Sequence, residues 1–322
     1  MQNMRESGAW FETIGLSLVA VFLYQTALLL LLFLVPGVIL IRRRGEVWYG
    51  IGALITVAVM GLFRYAQLAR VGAEHPIGLA LGDIALPVLL LAGVYLMGRR
   101  QLWGFTGLYR LGLATLGTGI LSVPVLVPLV QSGSFENVLE GQFQLALQAL
   151  GGTAQVGPES VEQFARLGLQ LLLGSYLAFY MALVGLNWYI GGHMAARFFQ
   201  NVQGAPRFRR FILPSFIVWV LLVGAVGVFV DMVGGIGALR YVAWNAVLAS
   251  LVLYGAQGIG IIRFLFDRYN VSQGARIGIG IALIVGLFVP ALNLVVLLGI
   301  PGLGISELWV RYGRLEPPRS SG

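Results

Sequence analysis

The segment YVAWNAVLASLVLYGAQGIGIIRFLFDRYN, residues 241–270, decides the fold class. Its first 26 residues form one apolar run with only a few polar side chains. As a helix, a run of this length is about 39 Å long and can cross roughly 30 Å of hydrocarbon. A transmembrane strand would instead alternate polar and apolar residues over about ten positions. The segment therefore predicts a transmembrane helix.

The composition of the whole chain agrees with this prediction. Hydrophobic residues make up 58% of the chain and charged residues 11%, whereas soluble domains carry roughly 25% charged residues. Seven more apolar runs recur along the chain, at 14–41, 47–65, 77–97, 112–130, 164–193, 212–230 and 277–298. We expect an all-α, polytopic transmembrane helical bundle of eight or nine spans, in one integral membrane domain over residues 1–322.

The first and last runs leave alternatives open. The 28 residues of 14–41 contain Pro36-Gly37 and form either one tilted span or a span with a short re-entrant piece. The segment 277–310 is broken by Pro290 and Pro301, and it forms either one span or two short helices. The side on which the polar tail 311–322 lies depends on this choice.

The arginines orient the bundle. All 21 basic residues are arginines, against 13 acidic residues, and they cluster in alternate loops such as 42–44. Such loops face the cytoplasm, so the pattern predicts a multi-pass protein of the cell's inner (cytoplasmic) membrane with the lipid bilayer, not nucleic acid, as its partner. The loop 131–163 carries four glutamates and no arginine or lysine. We expect it outside, with an amphipathic helix near 134–150 that caps the bundle or contacts a partner.

Polar residues inside spans are the candidate binding residues, because they are costly in lipid. Asp83 is the one acid well inside a predicted span. It either contacts a ligand or ion near the outer face, or pairs with Arg64 or Arg70, or reaches interfacial water. Asn187 and Trp188 near a cytoplasmic end, and Asn245 in the seventh run, line a pocket or belong to an aromatic belt and packing seam.

Gln257 and its neighbouring glycines are the last candidates. Gly255, Gly258 and Gly260 thin one face of the helix and allow another helix to approach closely. Gln257 can bond across that contact or bind a ligand. Packing is the favoured interpretation of this segment.

Motifs for catalysis are missing from the sequence. It has no cysteine, no H-E-x-x-H, no phosphate-binding loop and no G-x-S-x-G, and its two histidines are far apart. We therefore expect neither an enzyme nor a bound metal or cofactor.

Several stretches resemble the YybS-like family of bacterial multi-spanning membrane proteins, a domain family of unknown function. They are LLFLVPGVILIRRRGEVWYGIGA (31–53), FRRFILPSFIVWVLL (208–222), YVAWNAVLASLVLYGAQGIGIIRFLFDRYNVSQGARI (241–277) and ALNLVVLLGIPGLGISELWVRYGR (291–314). That family is distantly similar to the substrate-binding S components of energy-coupling-factor vitamin transporters. The resemblance implies a small-molecule binder without its own ATPase, working with other membrane subunits, and with Asp83 and the 131–163 loop on its outer side.

Three functions follow from these observations. The first is an S-component-like transporter component, which the resemblance favours. The second is a non-catalytic scaffold or assembly subunit of a larger membrane complex, favoured by the lack of ionic relays within the spans. The third, an intramembrane enzyme acting on lipid, would need Asp83 and His193 to cooperate, and the predicted topology places them on opposite sides.

Overall fold

The computed structural model describes residues 2–26, 29–70, 76–99, 106–131, 133, 136, 139–141, 143–144, 158–199, 202, 211–310 and 312. Within these ranges the regular structure is helical, without strands, which confirms the all-α class. The helices are α1 (Gln2–Gln25), a 3₁₀ turn (Leu30–Leu32), α2 (Val35–Arg44), α3 (Glu46–Arg70), α4 (Pro76–Gly98), α5 (Gly107–Gln131), α6 (Pro158–Phe198), α7 (Ile217–Gly234), α8 (Leu239–Arg268), α9 (Gln273–Gly286) and α10 (Leu292–Ser306). Most of the expected amphipathic helix and of the 311–322 tail lies outside the described residues.

Five of these helices are long and apolar enough to cross a membrane. The candidate spans are Gly8–Gln25 in α1, Glu46–Arg70, Glu159–Phe198 in α6, Ile217–Gly234 and Leu239–Arg268. Three other apolar segments of the described chain, Asp83–Gly98, Gln273–Gly286 and Leu292–Ser306, are shorter. A multi-pass helical membrane protein is therefore supported, whereas the predicted eight or nine spans are not confirmed.

The first apolar run is broken between α1 and α2. Of the two alternatives, the structure has a candidate span followed by a short second helix. Ten residues of α2 extend about 15 Å, half the hydrocarbon thickness. Pro36 stands in its first turn, where the missing N–H costs no helical bond. Six of the seven residues in 35–41 are buried, so this short helix is enclosed by protein rather than exposed to lipid.

The last apolar run is also divided. Helices α9 and α10 have 14 and 15 residues, about 21 and 22 Å, and Pro290 lies in the break between them. Pro301, by contrast, lies inside α10 and does not end it. The two-helix alternative is therefore the observed one, and the side of the C-terminus stays a prediction.

The chain contacts group the molecule into two units. Unit 1 comprises Met1–Pro124 and Tyr180–Ala205, and unit 2 comprises Val125–Phe179 and Pro206–Gly322. In unit 1, helices α1 to α5 and the final part of α6 contribute side chains to one apolar core. In unit 2, α8 is the central helix and packs against both α7 and α10.

Small side chains set the spacing of α1 and α3 in unit 1. Ala9, Thr13 and Ser17 recur every four residues and are buried. The Ser17 hydroxyl donates to the carbonyl of Gly52 on α3 at 3.0 Å, and a Cβ on Gly52 would lie 2.7 Å from Leu40. Such small-residue seams bring helices together in lipid. A cavity of about 10 Å³ beside this seam has room for about one water molecule.

Two tyrosines tie helices of unit 1 together. The Tyr49 hydroxyl donates to the carbonyl of Leu91 at 2.6 Å, and the Tyr180 hydroxyl donates to the carbonyl of Leu89 at 3.1 Å. Both side chains are almost fully buried. Each hydroxyl thus pairs in an apolar interior, where an unpaired O–H would be costly.

We expect Tyr49→Phe to lower the free energy of unfolding by about 1 kcal/mol, because one buried hydrogen bond is lost while the ring stays packed. The matched control is Tyr65→Phe, whose side chain is exposed. Thermal unfolding of both variants in mild detergent measures the difference. Equal midpoints for the two variants would show that the Tyr49 bond adds nothing to stability.

Candidate functional site

Five polar residues were predicted as ligand contacts, and the structure divides them between the units. Asp83, Asn187 and Trp188 lie in unit 1, and Asn245 and Gln257 lie in unit 2. The two residues of unit 2 are twelve positions apart on α8, about 18 Å along its axis, and have separate partners. In unit 2 they therefore form two sites rather than one.

Gln257 joins three segments of unit 2. Its Oε1 accepts from the backbone N–H of Leu213 at 2.8 Å, in the irregular stretch before α7. Its Nε2 donates to the carbonyl of Gly304 at 3.1 Å and to Oε2 of Glu307 at 2.8 Å. The side chain is 2% exposed. Both amide hydrogens and one acceptor position are thus used within the protein.

Asn245 bonds to the backbone of a different helix. Its Oδ1 accepts from the N–H of Leu177 at 2.7 Å, and its Nδ2 donates to the carbonyl of Leu173 at 2.6 Å. In a regular α-helix these two backbone groups, four residues apart, bond to each other. The amide of Asn245 therefore bridges one turn of α6 from outside and links α8 to it.

Asn187 supports the break between α1 and α2. Its Nδ2 donates to the carbonyl of Leu31 and to that of Leu183, both at 2.8 Å. The residue is 0% exposed, and its Oδ1 is buried with no hydrogen-bond partner among the described residues. Asn187 lies ten residues before Arg197 on α6, about 15 Å along the axis, or half the hydrocarbon thickness.

Asp83 and Trp188 each meet an arginine. Oδ2 of Asp83 lies 2.5 Å from Nε of Arg64, one of the two arginines that the sequence offered as its partner. Both side chains of the pair are nearly half exposed, so this ion pair adds little to stability. The ring of Trp188 lies 4.5 Å from the guanidinium of Arg42 and packs against the core of unit 1. Neither contact tests ligand binding, which stays a prediction for both residues.

The glycines of α8 lie where α10 crosses it. A Cβ on Gly258 would lie 2.0 Å from the backbone oxygen of Ile300, and one on Gly304 would lie 2.0 Å from that of Tyr254. Gly255 faces Pro301 with more room, at 3.7 Å, and Gly260 is buried in the same helix. The two backbones therefore touch at Gly258 and Gly304, where no side chain fits.

The sequence did not single out Glu12, which the structure makes central to one end of unit 1. Its carboxylate pairs with Arg43 at 2.5 Å and with Arg44 at 2.8 Å. The two partners are more than 30 positions away in the chain, so no local spacing indicates them. The sequence offered one indication of its role, namely that Glu12 is an acidic residue just before the apolar run 14–41.

Metal chemistry has no obvious place in the described ranges. Among them, no group of three or more His, Asp or Glu side chains could hold a metal ion. Among the described residues of unit 2, the buried polar side chains include the neutral amides of Asn245 and Gln257 and the hydroxyl of Ser250. The two amides can position a group by hydrogen bonding but do not act as an acid or base near neutral pH. The prediction that the protein is not an enzyme stays untested.

Comparison with known protein families identifies the family of this chain. Residues 13–301 match the family described as Predicted membrane protein (DUF2232). The chain belongs to this family. No curated protein and no solved structure matches it. The contacts described above thus belong to a DUF2232 protein whose family description names a location and no activity.

We expect Gly304→Ala in this DUF2232 protein to lower the free energy of unfolding by about 1–3 kcal/mol, since the added methyl group meets backbone that cannot rotate away. Gly302→Ala on the same helix is the matched control, because its Cβ would have no neighbour within 4 Å. Thermal unfolding in detergent measures both. A control as destabilised as Gly304→Ala would assign the effect to α10 itself and not to its contact with α8.

We expect Gln257→Leu to destabilise the protein more than Asn245→Leu does. Gln257→Leu leaves the Leu213 N–H without its acceptor, which lowers the free energy of unfolding by about 1–3 kcal/mol. After the second, Leu177 and Leu173 can bond to each other within α6, so the expected loss is about 1 kcal/mol or less.

Unfolding midpoints and size-exclusion profiles of both variants compare the two amides. If Gln257→Leu keeps wild-type stability, Gln257 is free to act as a ligand contact, and the packing interpretation fails. If Asn245→Leu is instead the less stable variant, then bonds to irregular backbone do not contribute more to stability than bonds to helical backbone, and the prediction is wrong.

Proposed function

We propose that this DUF2232 protein is a non-catalytic scaffold or assembly subunit of a larger complex in a bacterial inner membrane. One observation supports the scaffold role most directly: the amides of Asn187, Asn245 and Gln257 all bond to backbone of their own unit. They hold short and broken helices in place rather than converge on an open pocket. Side-chain bonds that hold the backbone within each unit suit a structural subunit.

The apolar surface of α7 supports the partner part of the proposal. Its inner face meets α8 where Gly224 and Gly227 face Ala246, Val247 and Ala243. Its outer face carries exposed large side chains, including Trp219, Val223, Val226 and Phe229. Apart from Asp231 near its end, the helix is apolar, with only 6% of its spanning window buried in this chain. Either lipid or the apolar helix of a second subunit covers such a face, and the proposal assigns a subunit to it.

A photo-reactive amino acid at Val223 tests this assignment in native membranes. We expect a cross-linked species of one defined mass, because a bound subunit holds the same side chains against this face. The same probe at Leu253, which is buried in α8, is the matched control and gives no intermolecular product. Adducts with lipid alone at Val223 would overturn the scaffold proposal.

The second candidate is an S-component-like small-molecule binder within a transporter, and one observation favours it. The broken α1–α2 segment is typical of the discontinuous helices at which transporters bind substrates near the membrane midplane. Here the buried Oδ1 of Asn187 lies beside that segment and has no partner in the described part of the chain. A thermal-shift screen of the purified protein against vitamins and related metabolites tests this candidate. A hit that Asn187→Leu abolishes, while the fold is retained, would favour it over the scaffold.

A further inference from the structure

Three consecutive arginines end α2 in unit 1, and aromatic and acidic neighbours hold them. Glu12 pairs with both Arg43 and Arg44. The guanidinium of Arg42 lies 4.5 Å from the centre of the Trp188 ring, and that of Arg43 lies 3.9 Å from the Phe199 ring. Neighbouring groups already restrict these side chains. An anion that binds them therefore costs little additional side-chain entropy.

The charge of this end of unit 1 is unbalanced. Glu12 neutralises one of three positive charges, and Glu46 at the start of α3 adds one further negative charge. Arg99 follows Gly98, which packs against Ile41, and Arg110 donates to the carbonyl of Met97. The side chains of Arg43 and Arg44 keep 33% and 28% of their surface exposed. Positive charge therefore remains in excess and within reach of an anion.

Two tryptophans place the arginines at the level of lipid headgroups. Trp10 and Trp48 lie edge to face with ring centres 5.3 Å apart, two residues before Glu12 and four after Arg44. Tryptophans collect at the boundary between hydrocarbon and headgroups. From the same end, α1 carries an exposed apolar stripe toward the membrane interior, made of Phe11, Ile14, Leu18 and Phe22.

We propose that Arg43 and Arg44 bind the phosphate of an anionic phospholipid whose acyl chains lie along the exposed stripe of α1. Guanidinium groups suit this role, because their fixed fork of donors matches phosphate oxygens. The adjacent apolar stripe selects a lipid over free phosphate, since it gives the acyl chains a surface to cover. This site does not depend on whether the protein is a scaffold or a transporter component.

Native mass spectrometry of the full-length protein in detergent tests the proposal, with phosphatidylglycerol and phosphatidylcholine at equal concentration. We expect the wild type to retain phosphatidylglycerol preferentially. The triple variant Glu12→Gln, Arg43→Gln, Arg44→Gln removes both pairs together, so no carboxylate is left without a partner. Its affinity for phosphatidylglycerol should fall by roughly tenfold or more.

The matched control is Asp83→Asn with Arg64→Gln, which removes a second ion pair of unit 1, away from the arginines of α2, and should leave phosphatidylglycerol retention unchanged. Equal retention of the two lipids by the wild type would overturn the proposal, as would undiminished retention by a triple variant with wild-type thermal stability. If the triple variant does not fold, Arg43→Gln alone is compared with Arg64→Gln under the same conditions. Displacement of the lipid by millimolar inorganic phosphate would assign the site to free phosphate and would also overturn the lipid assignment.

Discussion

The pairing of backbone hydrogen bonds in an apolar solvent is the constraint on which the rest of this structure depends. An unpaired N–H or C=O group in hydrocarbon costs several kcal/mol, so irregular backbone survives there only with partners from the protein. Asn187 supplies one for the carbonyl of Leu31 in the α1–α2 break, and Gln257 supplies one for the N–H of Leu213 before α7. A neutral amide suits this task because it offers donors and an acceptor together without the cost of burying a charge.

Close approach of the helices follows from the same constraint, because an amide side chain reaches only one helix away. Gln257 can bond to Gly304 and Glu307 only if α10 lies almost in contact with α8. The neighbouring Gly258 permits this approach, since the backbone of Ile300 occupies the place where its side chain would be. The two residues thus act together: Gln257 makes the hydrogen bonds to α10, and Gly258 allows the backbone of α10 to approach closely enough for them to form.

The sequence predicted those features that local pattern encodes. Long apolar runs predicted the helices, and the spacing of Gly255 and Gly258 predicted a packing face. Pro290 and Pro301 indicated a possible break in the last run but did not decide between one span and two helices. Hydropathy did not show where helices stop inside a run, so the number of spans is not settled by it. Nor did any local pattern show that Asn187 bonds to a carbonyl 156 positions away, because such partners are brought together only by folding.

The hydrogen bonds of Asn187 limit which groups its side chain can still accept. Its Nδ2 already donates to two carbonyls, so the unused group is the Oδ1 acceptor alone. A carboxylate brought to this atom would meet like partial charge and would gain no hydrogen bond. A group that pairs with Oδ1 must therefore be an N–H, an O–H or a cation, and it would have to reach an atom that is buried in this structure. In a pure scaffold the same unpaired oxygen is instead a local cost of breaking the helix, offset by the two bonds that Nδ2 makes.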